Sequence, residues 1–209
     1  MSISSALPGR RAQAARNDGV ILQAARDVFL ADPKAPISAV SERAGVGSSA
    51  LYRRYANKED LLRNLCHDGL RRFNEIAERA QSEADGWQAF TTFLHGVVEA
   101  DVHSLTVHLA GTFTPTPEMD EDARRSSELV TTLVRRAREA GRLREDADAN
   151  DVAFLLEACA AIRVPDGERT RTLRRRYLTV LLDGLAAGRT TTLPGPPPDG
   201  DEMNWRWRR

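Results

Sequence analysis

The segment ISAVSERAGVGSSALYRRYANKEDLL, Ile37 to Leu62, decides how this chain is read. Ile37, Val40 and Ala44 recur at three and four residues. They form the inner stripe of a short helix that stops at Gly45, since glycine tolerates the left-handed conformation found after a helix end. After a tight turn, Ser48 or Ser49 offers an N-cap hydroxyl, and Ala50, Leu51, Tyr52 and Tyr55 supply the buried and half-buried positions of a helix of about two turns. Asn57 then caps a long helix that opens on Lys58, Glu59 and Asp60 and runs to about Ser82. Upstream, Val20, Ile21, Ala24, Ala25, Val28 and Phe29 predict an amphipathic helix over about 18–30, with Asn17 or Asp18 as its cap. Asp32-Pro33-Lys34-Ala35-Pro36 ends it. Helix, glycine turn, short helix and capped helix together make a helix-turn-helix layout.

A helix about 12 Å across fits the DNA major groove, where each base pair shows its own donor and acceptor pattern. The helix after the glycine turn is the one suited to enter. Its N-terminal serines can donate to phosphates or bases, its amide end carries partial positive charge, and Tyr52, Arg53 and Arg54 follow with long donors. Tyr52 combines a ring that can pack under the helix with a hydroxyl able to reach a phosphate. The formal net charge of the chain is zero, but it is unevenly spread: up to Lys58 there are nine cations against four anions. A basic end of this kind can neutralise phosphates while the acidic remainder limits indiscriminate sticking to polyanions.

Beyond Gly86 the apolar residues still recur at three and four, as in Trp87, Phe90, Phe93, Leu94, Val97 and Val98. The chain is therefore expected to be all-α. Further helices are predicted from Glu118 to a stop at Gly141, from Asn150 to Arg163 and from Gly167 to Ala187. The ending LPGPPPDGDEMNWRWRR reads as an extended tail. No stretch approaches the roughly 18 uninterrupted apolar residues of a membrane span, and the first residues lack an apolar signal region. A cytoplasmic chain with reduced Cys66 and Cys159 is expected. His95, His103 and His108 lack the spacing that places two imidazoles on one metal, so neither a metal nor another cofactor is expected. Nucleophile-base pairs, phosphate-cradling glycine loops and paired carboxylates are also missing, which argues against an enzyme.

On Gly45-Val46, Leu51-Tyr52 and the run from Lys58 to Leu62, the chain resembles the TetR family of bacterial transcriptional regulators. The resemblance covers roughly residues 17–65 and implies a homodimer on a palindromic double-stranded operator, with a helical C-terminal domain that takes an unidentified small-molecule effector. It implies a basic arm at 1–16, a helix-turn-helix domain at 17–62, an effector-binding and dimerisation domain at 63–189 and a tail at 190–209. It also implies DNA contacts from Ser48, Ser49, Tyr52, Arg53 and Arg54, a phosphate contact from Lys58, and backbone or minor-groove contacts from Arg10, Arg11 and Arg16. The chain departs from the family at two places. Pro36-Ile37 stand where Thr or Ser often opens the second helix, with Ser38 next, and Ala50 offers DNA only a methyl group.

Trp87, Phe90, Phe93, Phe113 and Phe154 suit either a plain core or a cavity wall, and the resemblance favours the cavity. Leu94, Val98, His95 or His103 as a polar point, and Glu157 or Arg163 as a polar anchor, complete that set. Arg169, Arg171, Arg174, Arg175 and Arg176 read as a solvated helix face. Leu156, Ala160, Leu173, Tyr177, Leu181 and Leu185, with small Ala158 and Gly184 nearby, suit a four-helix dimer contact.

Overall fold

Helical periodicity governs most of the described residues. The computed structural model describes the backbone of residues 8–188 and 191–204, and their side chains apart from 8–17, 106–108, 203 and 204. Contacts cluster into two compact units, Met1–Leu65 and Cys66–Arg209.

The first unit holds α1 (Pro8–Ala31), α2 (Ile37–Ala44), α3 (Ser48–Arg54) and the start of α4 (Lys58–Ala80). α1 begins well before the expected Asn17 or Asp18 cap. Pro8 suits a first helical turn, and Ala12, Ala14 and Ala15 among Arg and Gln are strong helix formers, so residues 8–16 are helix and not an arm. Ile21, Ala24, Ala25 and Phe29 face the core, whereas Val20, one helical step off that stripe, is 51% exposed. Val40 and Leu51 are fully buried beside them. Gly45 adopts φ 64°, and the amides of Gly45 and Val46 bond back to the carbonyls of Glu42 and Ser41, closing α2 with a left-handed cap. α3 starts from Gly47 as N-cap with no side-chain cap, so Ser48 is the first helical residue and neither serine caps it. Asn57 Oδ1 accepts from the Asp60 amide at 2.8 Å, fixing the start of α4 as expected.

The second unit continues α4 and adds α5 (Gly86–Ala100), α6 (Val102–Leu109), α7 (Pro117–Glu139), α8 (Ala149–Ala161), α9 (Gly167–Leu185) and the short α10 (Gly200–Asn204). α5 is its central element: Phe90, Phe93 and Val97 are fully buried, and the helix packs against α7 and α9. Phe73 meets the Phe93 ring edge-on at 5.2 Å. At Gly86 the backbones of α5 and α7 come so close that no Cβ fits, because it would overlap the Arg136 carbonyl. Asp101, in left-handed backbone at φ 51°, breaks α5 from α6, a division the apolar period does not reveal.

A polar seam runs between α4 and α7. His67 and Arg71 reach the Asp122 carboxylate, Asn74 donates to the Asp122 carbonyl at 3.0 Å, and Ser126 donates to Asn74 at 2.6 Å. Arg125 pairs with Glu78 at 2.6 Å. Arg136 closes the seam by donating to the carbonyls of Gln81 and Glu83.

Residues 191–204 are docked on the second unit and are not an extended tail. Leu143 and Ala186 form an isolated antiparallel bridge, and Arg144 and Asp146 then bind Thr191 and Leu193. Trp205 and Trp207 lie outside the described residues.

Candidate functional site

The turn at Gly45–Gly47 sets α3 so that Leu51 points inward and Ser48, Ser49, Tyr52 and Arg53 point to solvent. At 100° per residue these four cover one side of two turns, with Ala50 half-buried at its edge. The Tyr52 ring is 51% exposed and does not pack under the helix, which leaves both ring and hydroxyl available at the surface. The Ser48 hydroxyl lies 3.3 Å from that of Ser41, which donates to the Ser38 carbonyl, so Ser41 steadies the turn from within. Ser38 itself is exposed on α2. The result is a solvent-facing row of hydroxyls and one guanidinium on a helix whose amide end is directed outward by a glycine turn. Such a row can donate to phosphate oxygens and to base edges.

Two of the residues expected to contact DNA also have partners within the protein. Arg54 turns sideways and pairs with Asp18 of α1. It leaves the row because its position, one residue beyond Arg53, is rotated towards α1. Lys58 donates to the carbonyls of Pro33 at 2.9 Å and Ala35 at 2.7 Å, and its ammonium stands 5.0 Å from the centre of the Phe29 ring. It clamps the α1–α2 loop, whose prolines leave carbonyls without helical partners. Arg43 likewise meets Asp27 at 2.9 Å. The basic excess of this unit is thus partly neutralised internally, and Arg53 is the arginine that remains in the exposed row. Burial pushes the Tyr55 phenol up, with the Asp18 carboxylate adding to the shift, as suits a core tyrosine. Arg10, Arg11 and Arg16 have helical backbone, but their side chains lie outside the described residues.

The residues expected around an effector do not come together as one wall. Phe90, Phe93 and Leu94 are packed solidly in the core, and Phe113 is buried. Trp87 is half-buried, its ring tilted at 5.8 Å from that of Phe90, with Arg142 over its face at 5.9 Å. His95 is exposed, and Glu157 is half-buried. Phe154 faces outward on α8, because it sits opposite the stripe of Val152, Leu156 and Cys159. Val98 and His103 do meet, in a cleft of about 10 Å³ together with Asp101, Ser104, Cys159 and Arg174. That is room for about one water.

Arg174 is another residue whose place differs from the expected one. It is buried, pairs with Asp101, and donates to the carbonyls of Ile162 at 3.0 Å and Ala160 at 2.9 Å. Its spacing of four from both Thr170 and Leu178 puts it on the inner stripe of α9, a signal hidden by the arginines around it. Burial pushes the Cys159 thiol up, which keeps it protonated beside this pair.

The expected dimer residues also divide. Leu156, Ala160 and Leu185 are buried within the unit's own core. Tyr177 is exposed, and Leu173 and Leu181 are half-buried. Their stripe continues through Val180, which is 59% exposed.

Comparison with known proteins accords with this geometry. The family described as bacterial regulatory proteins, tetR family, matches residues 21–65. The C-terminal domain described as transcriptional regulator SbtR-like matches residues 85–187. No curated protein matches the chain. Among solved structures, a TetR transcription regulatory protein from Mycobacterium vanbaalenii is 25% identical, with 85% of this chain and 99% of that chain covered at a TM-score of 0.59. The TetR-like transcriptional regulator LfrR from Mycobacterium smegmatis, solved in complex with proflavine, is 23% identical, with 86% and 99% covered at 0.57. The TetR family protein CprB from Streptomyces coelicolor A3(2) is 19% identical, with 93% and 94% covered at 0.64. No helix of the described residues is long and apolar enough to cross a membrane.

Proposed function

Because the chain belongs to the TetR family, a family of transcriptional regulators and not of enzymes, we propose that it is a cytoplasmic repressor that binds a palindromic operator as a homodimer and leaves it when a small effector binds. The observation that carries this reading is the exposed row Ser48, Ser49, Tyr52 and Arg53, held outward by the left-handed turn at Gly45. In a dimer, two such helices enter successive major grooves roughly 34–36 Å apart. Arg53 reads a base or a phosphate, Tyr52 and the serines bind backbone oxygens, and Ala50 offers its methyl to a thymine. Arg10 and Arg11 add contacts to the neighbouring backbone or minor groove.

Release follows from linkage: an effector preferring the DNA-free form weakens operator binding by the same factor by which operator weakens effector binding. The cleft between Val98, His103 and Arg174 is its point of entry, and the likeness to LfrR, solved with proflavine, supports a small organic ligand. That cleft must open to admit one. The solid packing of Phe90, Phe93 and Leu94 favours a second reading, a regulator that binds DNA without a ligand.

The decisive experiment is selection of binders from random duplex DNA at physiological salt with excess competitor. An enriched palindrome supports the proposal and supplies the operator for effector screens. Binding that merely follows salt, without enrichment, would defeat it. Calorimetry with metabolite mixtures then separates the two readings, since the absence of saturable binding favours the ligand-free regulator.

A further inference from the structure

We infer that the effector is an apolar carboxylic acid, and that its carboxylate takes the place of the Asp101 side chain on Arg174. This rests on the effector reading above and names the chemistry that the cleft selects.

The seat for such a group is built on the end of a helix. Carbonyls at the C-terminal end of α8 lack helical partners, and those of Ala160 and Ile162 are met by Arg174 Nη2 at 2.9 Å and Nε at 3.0 Å. Two edges of the guanidinium are thereby fixed. Its Nη1 is directed at the junction of α5 and α6, where it donates to Asp101 Oδ1 at 2.5 Å. The Ser104 hydroxyl donates to the same oxygen. Ser104 and Arg174 are 0% and 3% exposed, so two buried donors converge on one carboxylate oxygen.

The acceptor is held less firmly than the donors. The Asp101 side chain is 29% exposed, and its residue joins two helices instead of lying within one. Among the described residues it is the one non-glycine with positive φ. Left-handed backbone is unfavourable for residues with a Cβ, although aspartate visits it more readily than most. Rotation of this single side chain towards water uncovers both donors at once.

Charge then selects the ligand. A buried guanidinium stripped of its counter-ion is strongly unfavourable. A neutral or cationic molecule entering here would leave Arg174 in that state. A carboxylate restores the ion pair and the Ser104 hydrogen bond as Asp101 turns out. The other walls of the cleft include Val97, Val98, Leu156 and Cys159, which suit hydrocarbon. The molecule that satisfies both parts is a carboxylate on an apolar body.

The test is calorimetry with the full chain and its Asp101→Asn variant against hexanoate, octanoate, decanoate and 3-phenylpropanoate, each beside its primary amide and its amine. In the parent chain at least one acid should bind saturably, and at least tenfold tighter than the matched amide and amine. The same acid should bind Asp101→Asn at least tenfold tighter still, because it no longer displaces a charged group. Acetate, but not chloride at equal ionic strength, should raise the Tm of that variant. An amide or amine that binds as well as its acid would overturn the inference, as would a variant that gains nothing from any carboxylate. If Asp101→Asn fails to fold, the parent series decides alone, and the absence of acid preference there refutes the inference. Saturable binding of only neutral or cationic components from metabolite mixtures would also overturn it, while leaving the effector reading standing. No saturable binding of any compound by either protein would sink the effector reading itself.

Discussion

Replacing Gly86 by alanine sets two physical effects against each other. Glycine in a helix costs roughly 0.5–1 kcal/mol relative to alanine, so propensity alone predicts a more stable protein. The structure predicts the reverse. A Cβ at this position overlaps the Arg136 carbonyl oxygen, lies 2.5 Å from its carbon and 3.1 Å from the Ala137 nitrogen, and all of these are backbone atoms of α7. Comfortable carbon contacts begin near 3.5 Å, so α5 and α7 must part by about 1 Å. That gap would loosen Phe90 and Phe93 on one side and Leu133 and Ala137 on the other, all fully buried. Overpacking of this kind costs about 1–3 kcal/mol, here at the upper end because no flexible side chain can yield. With about 2–4 °C lost per kcal/mol in a chain of this size, Tm should fall by roughly 6–12 °C in a circular dichroism melt. Two companion substitutions fix the interpretation. Gly19→Ala meets nothing within 4 Å and should stabilise, whereas Gly96→Ala meets only the Ile76 Cγ2 at 2.7 Å and should cost less than Gly86→Ala. A Gly86→Ala protein melting at or above the parent temperature would refute the close approach.

Arg53→Ala should lower affinity for the selected operator by on the order of 1–3 kcal/mol, measured by fluorescence anisotropy, and relax preference at one base position; unchanged affinity and preference would remove Arg53 from the interface. Lys58→Met should destabilise the chain by about 2 kcal/mol in urea unfolding, through two lost charge-assisted hydrogen bonds to loop carbonyls. An unchanged midpoint with a shallower salt dependence of DNA binding would return Lys58 to the phosphates. The Asp146 carboxyl is held well below the usual carboxylate range by the Arg144 side chain and then by the Leu193 amide. Its stabilising effect is therefore present above the ordinary value near 4, and it fades only as pH falls through the depressed one. Exchange protection of the Leu193 amide should persist at pH 4 and vanish in Asp146→Asn; loss of protection already at pH 5 would contradict this.

The helices were legible in the sequence because their apolar stripes follow a single period, and Gly45 and Asn57 mark ends that only certain residues make cheaply. Most of the exposed row on α3 follows from the same period, although Tyr52, expected to be half-buried, is exposed and Arg54 turns to Asp18. What the sequence concealed are arrangements fixed by partners far along the chain. Lys58 looks like any cation at a helix start until Pro33 and Ala35 lie beneath it. Arg174 looks like one of five surface arginines until Asp101, far upstream, meets it. Phe154 has the chemistry of a pocket wall, and only the angular position of its neighbours on α8 sends it outward. The docking of residues 191–204 was equally hidden, since a proline-rich stretch gives no periodic signal of what it lies against.

The seam between α4 and α7 has a mechanical consequence. Its joints are His67, Asn74, Ser126, Asp122 and Arg136, groups that can exchange one oxygen for another or for water as they slide. Interlocked rings such as Phe90 and Phe93 have no such substitute partners, and any displacement opens a void. The second unit therefore pairs a polar contact between α4 and α7 with an apolar one centred on α5, and a small shift along the polar contact costs less than one that parts the rings.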